Sequence, residues 1–141
     1  MVIPFEHDRL IAQTLAKESD RGCVILGAAL LADALEDLLR SCCRDEPKDI
    51  KATIDPLFEG YAPLSTFSAR IQLAFALGIL PCQLRDKIEL VRRLRNDSAH
   101  EWGPIDFEDP KCASRLELLI GRPGQRCQEE EEKRQLSGWR S

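Results

Sequence analysis

The segment from residue 57 to residue 78 reads LFEGYAPLSTFSARIQLAFALG. Its first part, Glu59 to Pro63, has the glycine and proline content of a turn. Ser65 or Thr66 can then cap a helix whose apolar residues recur at helical spacing. These apolar residues are Phe67, Ile71, Ala74 and Phe75. Because glycine commonly ends a helix, the segment predicts a turn followed by a short amphipathic helix that stops at Gly78.

A longer amphipathic helix is predicted upstream, from Ser19 or Asp20 to about Arg44. Its apolar stripe consists of Val24, Leu31, Leu35 and Leu38. Gly22 and Gly27 lie in its first half, where each glycine costs about 1 kcal/mol relative to alanine. Either the close approach of another helix requires these glycines, or they are simply tolerated.

Four further helices are expected. Their predicted spans are Pro4 to Lys17, Asp45 to Phe58, Pro81 to a point before Gly103, and Asp109 to Gly121. In the second of these helices, Pro56 is expected to cause a distortion or an end near Asp55. No segment alternates polar and apolar residues with the period of two that is typical of a strand. The sequence therefore predicts an all-α fold, a helical bundle of about five to six helices over residues 1–120. We expect residues 121–141 to form a charged, mobile tail with few apolar residues, or alternatively a frayed helix over Gln128 to Leu136.

Length, charge and hydropathy limit the possible classes of protein. The chain has 141 residues, enough for one domain, and its net charge of -4 argues against a general attraction to nucleic acid. The longest apolar run, Cys23 to Ala32, has about half of the roughly 20 residues that a membrane helix needs. No signal peptide is visible, so we expect a soluble, cytoplasmic protein without a membrane partner.

Metal and cofactor sites are not predicted. The six cysteines are scattered, without a C-x-x-C pair, and we expect ordinary thiols at Cys23, Cys42, Cys43, Cys82, Cys112 and Cys127. The only histidines are His7 and His100, so no cluster has the ligand spacing of a zinc site. We expect neither a metal nor a cofactor.

Arg95 breaks the pattern of the predicted helix after Pro81. The expected buried side of that helix carries Leu84, Ile88, Val91 and Leu94. On a helical wheel, Arg95 falls about 20° from Leu84, on this apolar side. A guanidinium is always charged, so it is expected there only with a carboxylate, carbonyls or a phosphate, or where the stripe is an interface groove. Such local conflicts are more frequent at functional or strained sites.

Asn96 and His100 are four residues apart and share one side of a continuous helix, whereas His100 points about 140° away from Arg95. The three side chains could converge if the helix ended near Ser98, or if two copies met across a two-fold axis. His100 could then act as general acid or base, Arg95 could stabilise a phosphorane, and Asn96 could orient either. That chemistry suits RNA cleavage by the substrate's own 2′-hydroxyl. A plain helix end, however, favours similar residues because cations interact well with the C-terminal dipole.

The residues of the opening segment also resemble a known family. The order Leu57-Phe58-x-Gly60-x-x-Pro63-Leu64-Ser65-x-Phe67-Ser68-x-Arg70-Ile71-x-Leu73-x-Phe75-x-Leu77-Gly78 is similar to the central block of the mannitol operon repressor family. The position of Arg70 between apolar residues is its most unusual feature. The resemblance implies an all-helical transcriptional regulator that lacks a recognisable DNA-reading motif and acts through a partner protein.

A second resemblance concerns the end of the same region. Arg95-Asn96-x-x-Ala99-His100 is similar to the R-x4-6-H motif of the HEPN superfamily, many of whose members are RNases in toxin-antitoxin and defence systems. The arginine of that motif maps onto Arg95, its following polar residue onto Asn96 and its histidine onto His100.

Two functional hypotheses follow. The first is a non-enzymatic regulator, a homodimer that binds another regulatory protein, with Arg70, Arg92 and Trp102 as candidate binding residues. The second is a metal-independent RNase that binds RNA and uses Arg95, Asn96 and His100 as catalytic residues.

Overall fold

The computed structural model describes residues 5–43, 51–100 and 105–121 of the chain. These residues form six helices and no strand, in agreement with the predicted all-α bundle. The helices are α1 (Phe5–Leu15), α2 (Asp20–Ser41), α3 (Lys51–Phe58), α4 (Phe67–Ala76), α5 (Cys82–His100) and α6 (Pro110–Ile120). None of these described helices is long and apolar enough to cross a membrane. The predicted tail lies outside the described residues from residue 122 onward.

Helix α2 is the centre of the bundle and packs against α1, α4 and α5. It begins as predicted, because the Ser19 hydroxyl caps it by accepting a 3.1 Å hydrogen bond from the Gly22 N–H. Its buried side consists of Val24, Ala28, Leu35 and Leu39. The predicted stripe was therefore right at Val24 and Leu35 but wrong at Leu38, which is 37% exposed.

The hydrophobic core lies where α2, α3, α4 and α5 meet. It consists of Leu35, Leu39, Phe58, Ile71, Ala74, Leu80 and Ile88. Phe58 is the last residue of α3, so this helix continues past Pro56 instead of ending near Asp55. The core position of Phe58, together with a 2.9 Å hydrogen bond from Leu64 N–H to the Leu57 carbonyl, holds the last turn of α3 in place.

Two glycines end helices or form turns as the sequence predicted. Gly60 has φ +60° in the turn after α3, and Gly78 has φ +72° directly after α4, which is the left-handed region that other residues rarely adopt. At the other end of α4, the Thr66 hydroxyl accepts a hydrogen bond from the Ala69 N–H and caps the helix. A Cβ at Gly27 would meet nothing within 4 Å among the described residues, so none of the six described helices approaches closely enough to require this glycine.

Candidate functional site

Arg70 lies in a polar network between α2, α4 and the loop that precedes α4. Only 9% of its side chain is exposed. Its Nη2 lies 2.6 Å from Oε2 of Glu36, and its Nε donates a 2.8 Å hydrogen bond to the carbonyl of Leu64. Its Nη1 donates to the carbonyl of Ala32 at 3.1 Å. All three nitrogens of the guanidinium therefore have an acceptor inside the bundle, as a buried charge requires.

The network extends to α3 through Arg40. The second oxygen of Glu36 accepts a 2.9 Å hydrogen bond from Arg40 Nε, and Arg40 Nη1 lies 2.5 Å from Oδ1 of Asp55. Both guanidinium groups lie over the ring of Phe58, at 4.4 Å for Arg40 and 5.8 Å for Arg70. The hydrogen bonds that Arg40 donates to Asp55 and, next in size of effect, to Glu36 raise its pKa above the usual value.

These contacts give Arg70 a structural function. The residue joins α4 to α2 and fixes the end of the loop at Leu64, so the family-like segment 57–78 is held against the central helix. The sequence marked Arg70 as unusual but gave no indication of its partners, which are more than 30 residues away at Ala32 and Glu36. A role for Arg70 in contacting a partner protein stays a prediction.

The C-terminal half of α5 carries three arginines and a histidine on more than one side of the helix. The exposed or half-buried residues of this part of the helix include Arg92, Arg93, Arg95, Asn96, Ala99 and His100. Arg92 is paired with Glu89 at 2.9 Å. Arg93 and Arg95 are exposed, and neither has a carboxylate partner among the residues that the structure describes. The one hydrogen bond of the Arg95 guanidinium to a described residue is donated to Oδ1 of Asn96 at 3.1 Å.

The prediction that Arg95 faces the core was wrong. Leu84, the reference residue of that prediction, is 46% exposed, whereas Leu94 and Ser98 are buried and the half-buried Val91 lies on their side of the helix. The hydroxyl of Ser98 donates to the carbonyl of Leu94 at 2.6 Å, which satisfies it without a partner from another helix. Ile88 and Leu94 of the predicted stripe are buried and Val91 is half-buried, so the prediction was right at these positions and wrong at Leu84. Because a serine does not look like a core residue in the sequence, Ser98 was not recognised on the buried side, and Arg95 was placed there instead.

The catalytic candidates do not converge within one chain. Helix α5 continues through His100, so convergence by an early helix end near Ser98 is excluded. Asn96 and His100 share one side of this continuous helix, as predicted, while Arg95 points about 140° away from His100. Convergence across a two-fold axis stays a prediction. Trp102, the third candidate binding residue, lies outside the described residues.

A small cavity of about 80 Å³ lies between α2, α5, α6 and the segment before α6. Its polar walls include Asp97, Ser98, Asp109, Cys112 and Arg115. Arg115 and Asp97 of this lining form an ion pair. A space of this volume is enough for ordered waters.

Cys112 is not an activated nucleophile. Burial, and next the charge of Asp109, raise the pKa of its thiol, which disfavours the reactive thiolate. The described residues also contain no group of histidine, cysteine, aspartate or glutamate side chains that could hold a metal ion.

The fold and the sites together define the class: an all-α bundle in which a network of arginines and carboxylates joins α2, α3 and α4. The chain belongs to the mannitol repressor family, because the model of the family described as "Mannitol repressor" matches residues 6–135.

Individual relatives agree with this assignment. The mannitol operon repressors of Escherichia coli K12 and of Escherichia coli O6:H1 are each 28% identical to the chain over 103 residues, which is 73% of this chain and 53% of each relative. The chain thus spans about half the length of these curated relatives. The X-ray structure of the MtlR-HPr complex from Escherichia coli contains a similar fold, with a TM-score of 0.72 and 25% identity, over 84% of this chain and 75% of that one.

Proposed function

We propose that the chain is a transcriptional regulator of the mannitol repressor type that acts by binding another regulatory protein, with an HPr-like protein as its partner. The observation that carries this proposal is the similarity to the Escherichia coli protein whose structure was determined in complex with HPr. The similarity covers 84% of this chain and 75% of the chain in that structure.

The charge distribution supports binding through a protein instead of direct reading of DNA. The chain has 24 acidic against 20 basic residues, and several of its arginines are engaged by carboxylates inside the bundle or beside it. Affinity for a DNA backbone requires many free lysines and arginines to neutralise phosphates.

The proposal is tested by titrating the purified chain with Escherichia coli HPr in a calorimeter, with the Escherichia coli K12 mannitol operon repressor as the positive control. We expect saturable binding of one HPr per chain. The proposal fails if the control repressor binds HPr and the chain does not. A DNA fragment in place of HPr is expected to give no saturable binding, and tight DNA binding would favour direct DNA reading.

The RNase hypothesis is the second candidate, and the accessibility of its residues favours it. Arg95 and His100 are exposed and Asn96 is half-buried at the end of α5, so none of the three is sealed in the core. Catalysis would require two chains to bring Arg95 of one near His100 of the other.

Expression in cells of the wild type and of His100→Ala separates this candidate from the first. Loss of RNA integrity with the wild type alone supports the RNase, and intact RNA with both proteins contradicts it. An in vitro assay with purified protein and a chelator then tests metal independence.

A further inference from the structure

We infer that residues 105–121, which comprise α6 and the segment before it, form a flap that opens from the bundle without unfolding the other helices. We name these residues the α6 flap. Two polar contacts hold the flap closed, and opening uncovers the apolar residues Val24 of α2 and Leu94 of α5. This opening is a conformational step of the fold itself, so it goes beyond the proposed function and does not depend on it.

The α6 flap makes little apolar contact with the bundle. No residue of α6 is buried, and the main helix contact of α6 is with α5. The buried residues Val24 and Leu94 line the 80 Å³ cavity beneath the flap, so part of this boundary is empty space instead of closely packed side chains. Because the packing of an apolar side provides most of the stability of a helix in a protein, the closed position has only a small energetic advantage.

Two polar interactions, which we name the closing contacts, join the flap to the bundle. The N–H of Phe107 donates a 2.8 Å hydrogen bond to Oδ2 of Asp20 on α2. Arg115 of α6 forms an ion pair with Asp97 of α5, and 34% and 44% of these two side chains are exposed. Residues 7–15 of α1 also include no buried residue, so sparse burial alone does not define a flap. The closing contacts and the cavity do.

The polar groups at this boundary tolerate opening. Ser98 lies beneath the flap, but its hydroxyl donates to the carbonyl of Leu94 in its own helix and needs no acceptor from α6. Asp97 and Arg115 are already in contact with water, and a partly exposed ion pair contributes little to stability. Opening therefore costs much less free energy than unfolding of the core does.

Opening also melts the helix of the flap. The side chain of the N-cap residue Asp109 makes no capping hydrogen bond, so the first turn of α6 lacks this source of stability. A helix of 11 residues is marginal in water on its own. The amides of α6 therefore lose their helical hydrogen bonds once the flap leaves α5, and amide hydrogen exchange reports the opening.

The ion pair makes the position of the flap sensitive to its surroundings. Salt screens a partly exposed pair, so opening should increase with ionic strength. An ion or a partner that binds Asp97 or Arg115 competes with the closing contact and shifts the population towards the open state. The pair of Asp97 and Arg115 is therefore the element through which the surroundings control the flap.

Hydrogen exchange of the full chain, followed by mass spectrometry of its peptides, tests the opening. We expect the α6 amides to exchange at least about a hundredfold faster than those of α4, but about tenfold or more slower than in the unfolded chain. Low concentrations of urea should accelerate exchange in α4 more than in α6, because local opening exposes less surface than global unfolding. Equal rates and equal urea dependence in the two helices would overturn the inference. Complete lack of protection in α6 would also overturn it, because no closed state would then exist.

A double-mutant cycle tests the ion pair. Asp97→Asn and Arg115→Gln should each accelerate α6 exchange by about two- to fivefold, and the double variant should add little to either. Glu117→Gln is the control, because Glu117 is an exposed carboxylate of α6 without an ion pair to a described residue, and it should change the rate by about twofold or less. Sodium chloride should accelerate α6 exchange in the wild type and not in Asp97→Asn.

The contradicting outcomes of the cycle are equally specific. Equal acceleration by Asp97→Asn and Glu117→Gln would indicate a general charge effect, and additive effects of Asp97→Asn and Arg115→Gln would show that the pair does not hold the flap. The protection of α4 in each variant shows that the bundle stays folded. HPr titration is a separate measurement, so failure of the flap and failure of the proposed function are distinguishable.

Discussion

Oε2 of Glu36 lies 2.6 Å from Nη2 of Arg70, and this contact joins the central helix α2 to α4 across a site where only 9% of the arginine side chain is exposed. Glu36 also binds Arg40, so one carboxylate serves two guanidinium groups. A buried charge that loses its partner destabilises a protein more than the intact pair stabilises it. The stability of the bundle should therefore depend strongly on this single carboxylate.

Replacement of Glu36 by glutamine is expected to lower the free energy of unfolding by about 2 kcal/mol, because it leaves the Arg70 charge without its counterion. Urea denaturation followed by circular dichroism measures the change. Asp33→Asn is the matched control, since Asp33 is exposed on the same helix and should change stability by about 0.5 kcal/mol or less. Similar losses in the free energy of unfolding from the two variants would show that Glu36 contributes no more to stability than an exposed carboxylate does.

A pair of glycine substitutions should have opposite effects. Gly27→Ala is expected to stabilise the protein by about 0.5–1 kcal/mol, because the added methyl meets nothing within 4 Å and alanine is a better helix former. Gly60→Ala is expected to destabilise it by about 1–2 kcal/mol, because Gly60 has φ +60° and alanine is strained there. Thermal unfolding of both variants measures the difference. A loss of stability with Gly27→Ala would mean that another part of the chain approaches this position.

The position of the buried stripe on α5 can also be tested by mutation. Leu94 is 6% exposed and Leu84 is 46% exposed. Leu94→Ala should lower the free energy of unfolding by about 2–4 kcal/mol because it leaves a cavity, and Leu84→Ala should lower it by about 1 kcal/mol or less. A loss with Leu84→Ala as large as that with Leu94→Ala in urea denaturation would indicate that Leu84 is also buried, as the sequence predicted.

Local signals allowed most of the fold to be predicted from the sequence. The caps at Ser19 and Thr66 and the stop at Gly78 depend on hydrogen bonds and backbone angles within a few residues, so a short segment contains all the information. Helix α3 was less well predicted, because the buried contact of Phe58 with distant helices keeps the last turn in place after Pro56.

The candidate sites were harder to predict from the sequence than the fold, because they depend on contacts between residues that are distant along the chain. The sequence identified Arg70 as unusual, but its acceptors at Ala32 and Glu36 lie on another helix and have no local signature. The helical wheel did not place Ser98 on the buried side because serine is polar. Its hydroxyl donates a hydrogen bond within its own helix, and this allows it to occupy a core position. The direction in which the α5 arginines point depends on the packing of α2, α4 and α6 against that helix, which the sequence of α5 alone does not contain.

The cysteines should differ in their reactivity toward iodoacetamide. Cys42 is exposed, whereas Cys112 is half-buried and burial and Asp109 raise the pKa of its thiol. Because alkylation requires the thiolate, we expect Cys42 to be modified well before Cys112 at neutral pH. Timed alkylation followed by peptide mass spectrometry measures both rates in one sample, and in urea the two rates should converge.

The pH dependence of alkylation tests whether a raised pKa causes the slower reaction of Cys112. A raised pKa in the folded state means that the Cys112 rate should keep rising at a pH where the rate of the unfolded chain has already levelled off. Asp109→Asn removes one of the charges that raise this pKa, so it should accelerate alkylation of Cys112 and leave Cys42 unchanged. Equal acceleration of both thiols would indicate that the substitution loosens the fold, and equal rates in the native wild type would show that α6 does not shield Cys112.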